Sequence, residues 1–400
     1  MFDSRRFWIA IILCLAGAVL YADENHFKNV LVGDRAATMG GAYLGISDDS
    51  SGSYYNPAGL VYGMGDSISG SGNAFHQTKT YYKKTIGLRD WERESETILP
   101  NFFGITKRFE NIMIAFSYIV PDSFIEHQDQ SFKKILSGID EYYISLHVEE
   151  EANLAGPSIA YFVNEKWSIG LSVFYGWKTT RKIQNEFFLL SDNTSENNFS
   201  STKINENNLL YKVGIQSNHF EPFTIGFVLS ETVPLSKKTK RYNPYILNNG
   251  TSNNILSETN SLPKKSRQFS FGIAYYPSDN WLYSVDMDYI LSEGKYLKNI
   301  LNYSFGSEYF LDAENAFRLG YFTNYDNRIE PGEYTVAPHE KIDLNGFTLG
   351  YTSFTKTSSF TIGYVNTSGN GSAQVYSNNS ELRKISKVST TFLFAASYNY

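Results

Sequence analysis

The sequence has little cysteine and no long apolar stretch beyond its first residues. Cys14 is the single cysteine among 400 residues, which excludes a disulfide-stapled fold and any zinc site built from several cysteines. After Ala22 no segment approaches the roughly 20 consecutive apolar residues that a transmembrane helix requires. The mean hydropathy of −0.32 agrees with that observation. A bundle of membrane-spanning helices is therefore excluded.

The sequence also lacks the motifs that common catalytic sites need. The six histidines are scattered, without a His-x-x-x-His pair, and there is no Gly-x-Ser-x-Gly elbow and no P-loop. The formal net charge of −6 gives no reason to expect a nucleic-acid partner. We therefore predict no enzymatic activity, no metal and no cofactor.

The first 22 residues have the pattern of a secretory signal peptide. Arg5 and Arg6 form a basic start, an apolar run extends from Phe7 to Ala22, and acidic residues follow. An uncleaved membrane anchor is the alternative. Cleavage after Ala22 would also remove Cys14, which suits a protein exported through an oxidising compartment.

Aromatic residues are abundant and occur in alternating segments. Thirty Tyr, 29 Phe and 5 Trp make up 16% of the chain. From Trp167 to Trp177 every second residue is apolar and those between are mostly Gly or Ser, which is the period of a β-strand. The same pattern predicts 14 strands: 66–82, 97–108, 111–121, 152–163, 167–179, 205–217, 223–232, 266–276, 281–291, 299–311, 315–325, 342–354, 358–367 and 385–400.

The face opposite the aromatic residues distinguishes a membrane barrel from a soluble sandwich. It repeatedly holds glycine, which suits a lumen where backbone approaches other protein or leaves room for a passage. The glycines concerned are Gly170, Gly214, Gly226, Gly272, Gly306, Gly320, Gly350 and Gly363. Short turns alternate with longer polar segments, expected as outer loops, at 83–96, 122–151, 180–204, 233–265, 292–298, 326–341 and 368–384. Residues 66–400 are therefore predicted to form a 14-stranded antiparallel transmembrane β-barrel.

Residues 23–65 differ in kind from the strands. They combine Gly40-Gly41, the acidic pair Asp48-Asp49 and the motif Asn56-Pro57-Ala58. Small residues, Asp and Pro at this density favour short helical turns and close backbone packing. We predict a hatch that plugs the barrel, and a flexible leader is the alternative. The acidic pair is expected to cap a turn or bind hatch backbone rather than act as a catalytic pair.

These motifs resemble the FadL/TodX-type outer-membrane transporters of long-chain fatty acids and aromatic hydrocarbons. The resemblance starts with Gly40-Gly41-Ala42, Asp48-Asp49 and Tyr55-Asn56-Pro57-Ala58-Gly59-Leu60. It continues through Pro277-Ser278-Asp279-Asn280-Trp281 and Gly306-Ser307-Glu308-Tyr309, so that it spans nearly the whole mature chain. PorV-like and spirochaetal barrels share the N-terminal motifs, which leaves the substrate open.

The resemblance implies an outer-membrane channel that takes up hydrophobic small molecules, such as long-chain fatty acids, without energy coupling of its own. A ligand would be caught among the outer loops, enter an apolar pocket and pass when the hatch rearranges. The last strand ends on aromatic Tyr400, which is typical of barrels folded by the outer-membrane assembly machinery. We expect a monomer in contact with outer-membrane lipid and lipopolysaccharide. The alternatives are a PorV-like barrel that serves protein secretion and a surface-exposed porin or adhesin.

Several side chains are candidates for ligand contact. Lys178, Lys212 and Arg318 are predicted to face the lumen, where they could bind a ligand carboxylate or form ion pairs with the hatch and neighbouring strands. Phe187 and Phe188 are apolar residues of the 180–204 loop that need a partner. By resemblance to the family, Phe27 is expected to insert into the barrel.

Two further groups of charged residues, one acidic and one basic, are predicted to have partners. Asp286 and Asp288 are expected to meet lumen cations such as Arg318, or the hatch. The 233–265 segment is rich in cations that could either accept an amphipathic anion or face lipopolysaccharide. These cations are Lys237, Lys238, Lys240, Arg241, Lys264 and Lys265.

Overall fold

The computed structural model describes residues 26–86, 89–247, 252–262, 265–294, 296–332, 339–374 and 382–400. The predicted signal peptide, 1–22, and Lys264 lie outside these ranges. Three short helices come first: α1 (Arg35–Thr38), α2 (Gly52–Tyr55) and a 3-10 helix (Pro57–Tyr62). In the described part of the chain, no helix is long and apolar enough to cross a membrane.

β-Strands make up most of the described residues. They are β1 (Ser67–Ile86), β2 (Arg89–Phe109), β3 (Ile112–Leu136), β4 (Ile139–Asn164), β5 (Trp167–Leu190), β6 (Ser195–Phe220), β7 (Phe223–Leu247), β8 (Ser252–Ser261), β9 (Ser266–Ser278), β10 (Trp281–Ser292), β11 (Ile300–Phe310), β12 (Asn315–Asn324), β13 (Glu340–Phe354), β14 (Ser358–Ala373) and β15 (Arg383–Asn399).

The strands close into one antiparallel barrel. Consecutive strands pair with each other except β8 and β9, which both pair with β7; β15 pairs with β1, and the β6–β7 pairing completes the ring. On β7, β8 and β9 share one continuous register, with Lys237 opposite Ser261 and Thr232 opposite Ser266. They occupy a single position in the wall, so that the barrel has 14 positions. The predicted 14-stranded antiparallel barrel is confirmed.

The strand bounds agree with prediction at one end of the barrel and differ at the other. The predicted short turns, at 109–110, 164–166, 218–222, 277–280, 312–314 and 355–357, all fall where two consecutive strands connect, and we call their side the turn end. At the opposite, far end, the segments predicted as loops at 83–96, 122–151, 180–204 and 233–265 consist mainly of strand. β4, for example, extends over 26 residues. The prediction of long loops there was wrong, because these polar residues pair with one another across neighbouring strands.

Near the turn end the wall is apolar outside and polar inside. On β5, Trp167, Leu171 and Tyr175 are exposed, whereas Ser168 and Ser172 between them are fully buried. The outward apolar residues extend for ten residues from the turn, which in a tilted strand corresponds to roughly 25 Å. This length matches the hydrocarbon layer of an outer membrane.

At the far end the interior of the barrel is apolar. There the extended strands β1–β5 pack against the ends of β13–β15. The residues that fill this space, called here the upper apolar cluster, are Tyr82, Ile86, Trp91, Ile135, Ile139, Tyr142, Ile144, Leu146, Val148, Phe188, Ile342, Leu344, Ala373 and Ile385. The far half therefore has a hydrophobic core of its own.

Candidate functional site

Residues 26–65, called here the hatch, lie inside the barrel. At its start, the backbone N–H groups of Phe27 and Lys28 donate to Oδ1 of Asn324, at 2.9 and 3.1 Å. At its end, the guanidinium of Arg108 donates to the carbonyl oxygens of Val61 and Gly63, at 2.7 and 2.6 Å. The hatch is thus fixed to the wall at both ends of its path through the lumen.

The glycines of the inner face form the seat on which the hatch rests. A Cβ atom added at any of the eight predicted positions would lie 2.0–2.8 Å from a hatch atom. At Gly214, for example, it would lie 2.1 Å from Oδ1 of Asn56. No side chain fits at such distances, because the backbones of wall and hatch are almost in contact. The interpretation of these glycines as a close-approach surface is confirmed.

The Asn-Pro-Ala motif stabilises the hatch. Nδ2 of the buried Asn56 donates to the carbonyl oxygen of Leu44 at 2.9 Å, and its Oδ1 accepts from the N–H of Ala58 at 3.1 Å. Asn56 thereby caps the 3-10 helix, with Pro57 in the first turn. Ser168 of the wall donates to the carbonyl oxygen of Ala58 at 2.8 Å. The motif therefore joins two parts of the hatch and attaches them to β5.

The diglycine allows the hatch to turn against the wall. Gly40 and Gly41 have backbone φ values of +68° and +76°, a conformation that residues other than glycine rarely adopt. A Cβ at Gly40 would also lie 2.9 Å from the backbone nitrogen of Tyr321. Both the local conformation and the close approach therefore require glycine at this position.

The acidic pair performs two different structural tasks. Oδ1 of Asp49 accepts hydrogen bonds from the N–H and hydroxyl of Ser51, at 2.8 and 2.6 Å, which closes a turn as expected. Burial, with a further contribution from Asp34, raises the pKa of Asp49 to about 6. Asp48 instead forms an ion pair with Arg35 at 2.8 Å and accepts from the hydroxyl of Tyr43.

Arg35 extends this ion pair from the hatch to the wall. Its guanidinium contacts Glu308 at 2.5 Å, and the same carboxylate binds Arg318 at 2.7 Å. Glu308 has no exposed side-chain surface. Arg318, a candidate for ligand contact, thus has its charge compensated inside the wall. We call these four residues, Asp48, Arg35, Glu308 and Arg318, the hatch ion network.

Asp286 and Asp288 bind the hatch, which is one of the two partners expected from the sequence. Oδ2 of Asp286 accepts from the backbone N–H groups of Tyr43 and Leu44, at 2.6 and 2.9 Å. Asp288 forms an ion pair with Lys28 at 2.8 Å. Both aspartates therefore hold the hatch on β10, and neither of them is the partner of Arg318.

The two candidate lysines have different surroundings. Lys178 forms an ion pair with Glu150 and lies 3.9 Å from Asp122, on neighbouring strands. Lys212 is 8% exposed, and its ammonium lies 4.3 Å from the ring centre of Tyr54 in the hatch. Within the ranges that the structure describes, no carboxylate is in ion-pair distance of Lys212. A buried charge of this kind is costly, and one aromatic ring compensates only part of that cost.

Lys212 borders an apolar region between hatch and wall. The residues of this middle apolar cluster are Val32, Phe102, Ile119, Leu154 and Phe174, with Tyr54, Tyr55 and Leu210 packed against them. Since Tyr54 contacts both the cluster and the Lys212 ammonium, one cation lies beside an apolar volume. This arrangement is suited to a molecule with an anionic head and an apolar tail.

The wall beside the middle cluster has an interrupted hydrogen-bond ladder. β2 and β3 pair from Phe109 opposite Ile112 only as far as Phe102 opposite Ile119, although both strands continue. Pro100 and Pro121 lie just beyond this point, and proline has no N–H to donate to a ladder. We call the stretch beyond Phe102 the β2–β3 seam.

Side chains bridge the seam where backbone hydrogen bonds end. Nε1 of Trp91 donates to Oε1 of Gln130 at 2.6 Å, and Nε of Arg93 donates to Oε1 of Glu126 at 2.8 Å. Side-chain bridges can open without breaking a strand pairing. The seam begins at the far-end limit of the lipid-facing apolar zone of the wall. It lies next to the middle apolar cluster, to which Phe102 and Ile119 belong.

The two candidate phenylalanines of the far end lie on opposite faces of β5. Phe188 is 2% exposed and belongs to the upper apolar cluster, where its ring stacks on Tyr142 with 4.7 Å between the ring centres. Phe187 is directed to the outer face and is half-buried. The prediction that both are loop residues was wrong, because this segment is paired as strand. The alternation at Tyr142, Ile144, Leu146 and Val148 was the signal that could have revealed this interior.

Below the hatch, a cavity of about 400 Å³ opens toward the turn end. Its lining includes the hatch ion network as well as Tyr62, Met64, Phe310 and Phe354. The hatch separates this cavity from the apolar clusters above it. Among the described residues, no group of three or more His, Cys, Asp or Glu side chains could hold a metal ion.

Comparison with known proteins yields similarity of structure only. No protein-family model and no curated sequence matches the chain. The Pseudomonas putida toluene transporter TodX superposes with a TM-score of 0.66 at 14% identity, covering 94% of this chain and 99% of its own. A Pseudomonas aeruginosa FadL homologue gives 0.64 at 12% identity, with the same coverage. The monoaromatic hydrocarbon channel CymD gives 0.61 at 14% identity, again over 94% and 99%. The chain therefore has the fold of the FadL and TodX channels, a 14-stranded barrel around its own N-terminal segment.

Proposed function

We propose that this protein is a FadL-type outer-membrane channel that takes up hydrophobic small molecules without energy coupling of its own. The observation that carries the proposal is the pair of aromatic, apolar clusters inside the barrel, one in the far half and one between the wall and a closely seated hatch. A water-filled porin has a polar lumen instead. The structural neighbours described as toluene and monoaromatic hydrocarbon channels support the same function.

The proposal includes the route into the membrane. A cleaved signal peptide (1–22) would direct export, and the outer-membrane assembly machinery would insert the barrel (66–400) as a monomer, with its turn end in the periplasm. In this arrangement the segment 23–65, which includes the hatch, blocks the lumen. We infer no enzymatic role for the protein.

We further propose that the ligand is an amphipathic acid, such as a long-chain fatty acid. Lys212 would bind the carboxylate, because Lys178 and Arg318 already contact carboxylates of the wall. The tail would occupy the middle apolar cluster, after first contact with Phe188 in the upper apolar cluster. Phe27, at the start of the hatch, would contact the ligand between the two. The β2–β3 seam beside the middle cluster would be the exit.

Binding of two ligands that differ only in the head group tests this assignment. Purified protein is titrated with oleic acid and with oleyl alcohol, using wild type and Lys212→Met. We expect the variant to bind the acid at least tenfold more weakly, which corresponds to about 1.4 kcal/mol, with little change for the alcohol. A wild type that binds the two ligands equally would contradict the role of Lys212.

Absence of binding for both ligands, and for toluene, would contradict the channel proposal itself. A PorV-like barrel serving secretion would then be favoured if pull-downs from the native membrane recovered secretion partners. A porin would instead be recognised by a high ion conductance of the intact protein. The control for Lys212→Met is Lys166→Gln, in the β4–β5 turn. It removes one exposed charge far from the lumen, and its binding of oleic acid should equal that of wild type.

A further inference from the structure

Three cations form a row on the outer wall of the far half. Arg181 on β5 lies directly opposite Lys203 on β6, and Lys203 lies directly opposite Lys240 on β7. All three side chains are exposed on the outer face. With neighbouring strands about 4.8 Å apart, the row is roughly 10 Å long.

The charges of this row are incompletely compensated. Like charges directly opposite each other destabilise a sheet. Glu149 pairs with Arg181 at 3.0 Å, while Glu258 is shared between Lys240 at 3.3 Å and Lys238 at 2.6 Å. Lys203, at the centre, has no ion pair in the described parts of the chain. With Lys238 counted beside the three cations of the row, four positive charges face the two carboxylates of Glu149 and Glu258. The excess is two positive charges, on a chain whose net charge is −6.

The row lies at the height of lipid head groups. On β5 the run of outward aromatic and apolar residues that begins at Trp167 ends with Tyr175 and Trp177, whose stacked rings are 6.0 Å apart. Arg181 follows four residues later, which is about 10 Å further along the barrel axis for a tilted strand. Aromatic residues of this kind mark the boundary of the hydrocarbon layer. A cation 10 Å beyond that boundary can reach lipid phosphates.

An aromatic surface lies just beyond the row. Phe199 and Tyr242 are on the outer faces of β6 and β7, two to four residues further from the membrane, with ring centres 6.2 Å apart. Flat aromatic faces provide apolar contact for sugar rings, and the tyrosine hydroxyl adds a polar group. The vertical order is therefore aromatic belt, cations, and a second aromatic surface.

Three strands away from β5, the wall has the reverse charge. There the outer face of β2 carries Glu92, Glu94 and Glu96, and Lys79 forms an ion pair with Glu94 at 3.0 Å. An acidic surface of this kind repels phosphate. The row of cations is therefore a local feature of β5–β7, not a general property of the far half.

We propose that Arg181, Lys203 and Lys240 bind the phosphate groups of a phosphorylated glycolipid in the outer leaflet. The acyl chains lie along the aromatic belt, and the sugar contacts Phe199 and Tyr242. Arg181 can bind phosphate through two N–H groups, whereas the lysines contribute point charges. This site rests on the proposed outer-membrane location with the turn end in the periplasm.

Native mass spectrometry of the purified protein tests this site with diphosphoryl lipid A as the probe. The variant Lys203→Gln/Lys240→Gln removes two charges of the row. Lys166→Gln/Lys356→Gln removes two exposed charges at the turn end and is the matched control. Each cation near a lipid surface contributes about 1 kcal/mol, so the first variant should bind the probe at least tenfold more weakly. The control variant should bind it like wild type.

Equal binding of lipid A by the two variants would overturn the proposal. Equal binding of phosphatidylglycerol, with the same dependence on Lys203 and Lys240, would overturn the assignment to a glycolipid. Heat-modifiable migration verifies that each barrel is folded, and Lys203→Gln alone replaces the double variant if that one does not fold. Oleic acid binding should be unchanged in all these variants. Lipid A binding without oleic acid binding would therefore contradict the channel proposal and leave the glycolipid site supported.

Discussion

The two halves of this barrel use the same strands in opposite ways. Near the turn end of β4, Ile159 and Tyr161 are exposed on the outside while Ser158 is buried inside. Toward the far end of the same strand, Tyr142 and Leu146 are buried inside, and the outer face carries polar residues such as Glu149. The backbone and its alternation do not change along the strand. Only the chemistry of the two faces is exchanged.

This exchange shows what surrounds each half. In the half near the turn end, lipid contacts the apolar outer face, and the inner face binds the hatch through glycines, hydroxyl groups and ion pairs. In the far half, the outer face is mainly polar and lies beyond the hydrocarbon layer, and the inner face packs as a hydrophobic core. The upper apolar cluster of the far half and the middle apolar cluster therefore offer an apolar ligand contacts inside the barrel. We therefore expect the two halves of the barrel to respond differently to substitution.

The strongest test of the comparison removes the hatch. Deletion of residues 28–62 takes away the protein that fills the lumen near the turn end and leaves the strand pairings of the wall intact. We expect single-channel conductance in planar bilayers to rise by on the order of tenfold or more, because a polar, glycine-lined lumen then fills with water. Wild type measured in the same bilayers is the reference.

Unchanged conductance of a folded deletion variant would show that the far half, with its upper apolar cluster, closes the channel by itself. The variant's folding is verified by heat-modifiable migration. In that case the hatch would stabilise the barrel without acting as the plug.

The sequence predicts the half near the turn end better than the far half. Its turns, its outward aromatic residues and the glycines of the hatch seat all follow from alternation, as at Gly214 and Trp167. The far half was mistaken for loops because residues such as Glu149 and Lys203 are polar on the side where the rule for lipid-facing strands requires apolar ones. Partners in space are also absent from the sequence: only the fold reveals that Glu308 compensates Arg318 and that Lys212 lies over Tyr54.

The hatch ion network gives the second test. Glu308→Gln removes the carboxylate that Arg35 and Arg318 share, and leaves two largely buried guanidinium groups without this partner. Removing one partner of a buried pair costs about 3–5 kcal/mol. We expect the free energy of unfolding in lipid vesicles, measured by urea titration, to fall by an amount of this order, and the hatch to become accessible to protease.

Glu258→Gln is the matched control for this substitution. Glu258 also binds two cations, Lys238 and Lys240, but on the exposed outer face. Exposed ion pairs contribute little because water screens them. Equal effects of the two substitutions would show that the hatch ion network does not stabilise the protein through burial.

The smallest effect is expected from truncating one side chain in the far half. Phe188→Ala removes a ring that stacks on Tyr142 inside the upper apolar cluster, and it should lower local stability by about 3 kcal/mol through the cavity left behind. Phe187→Ala, one residue earlier on the outer face, should change it by less than about 0.5 kcal/mol. Hydrogen exchange of the amides of β4 and β5 measures both effects. If lipid rather than water surrounded the far half, Phe187 would be the more important of the two, and the order of the effects would reverse.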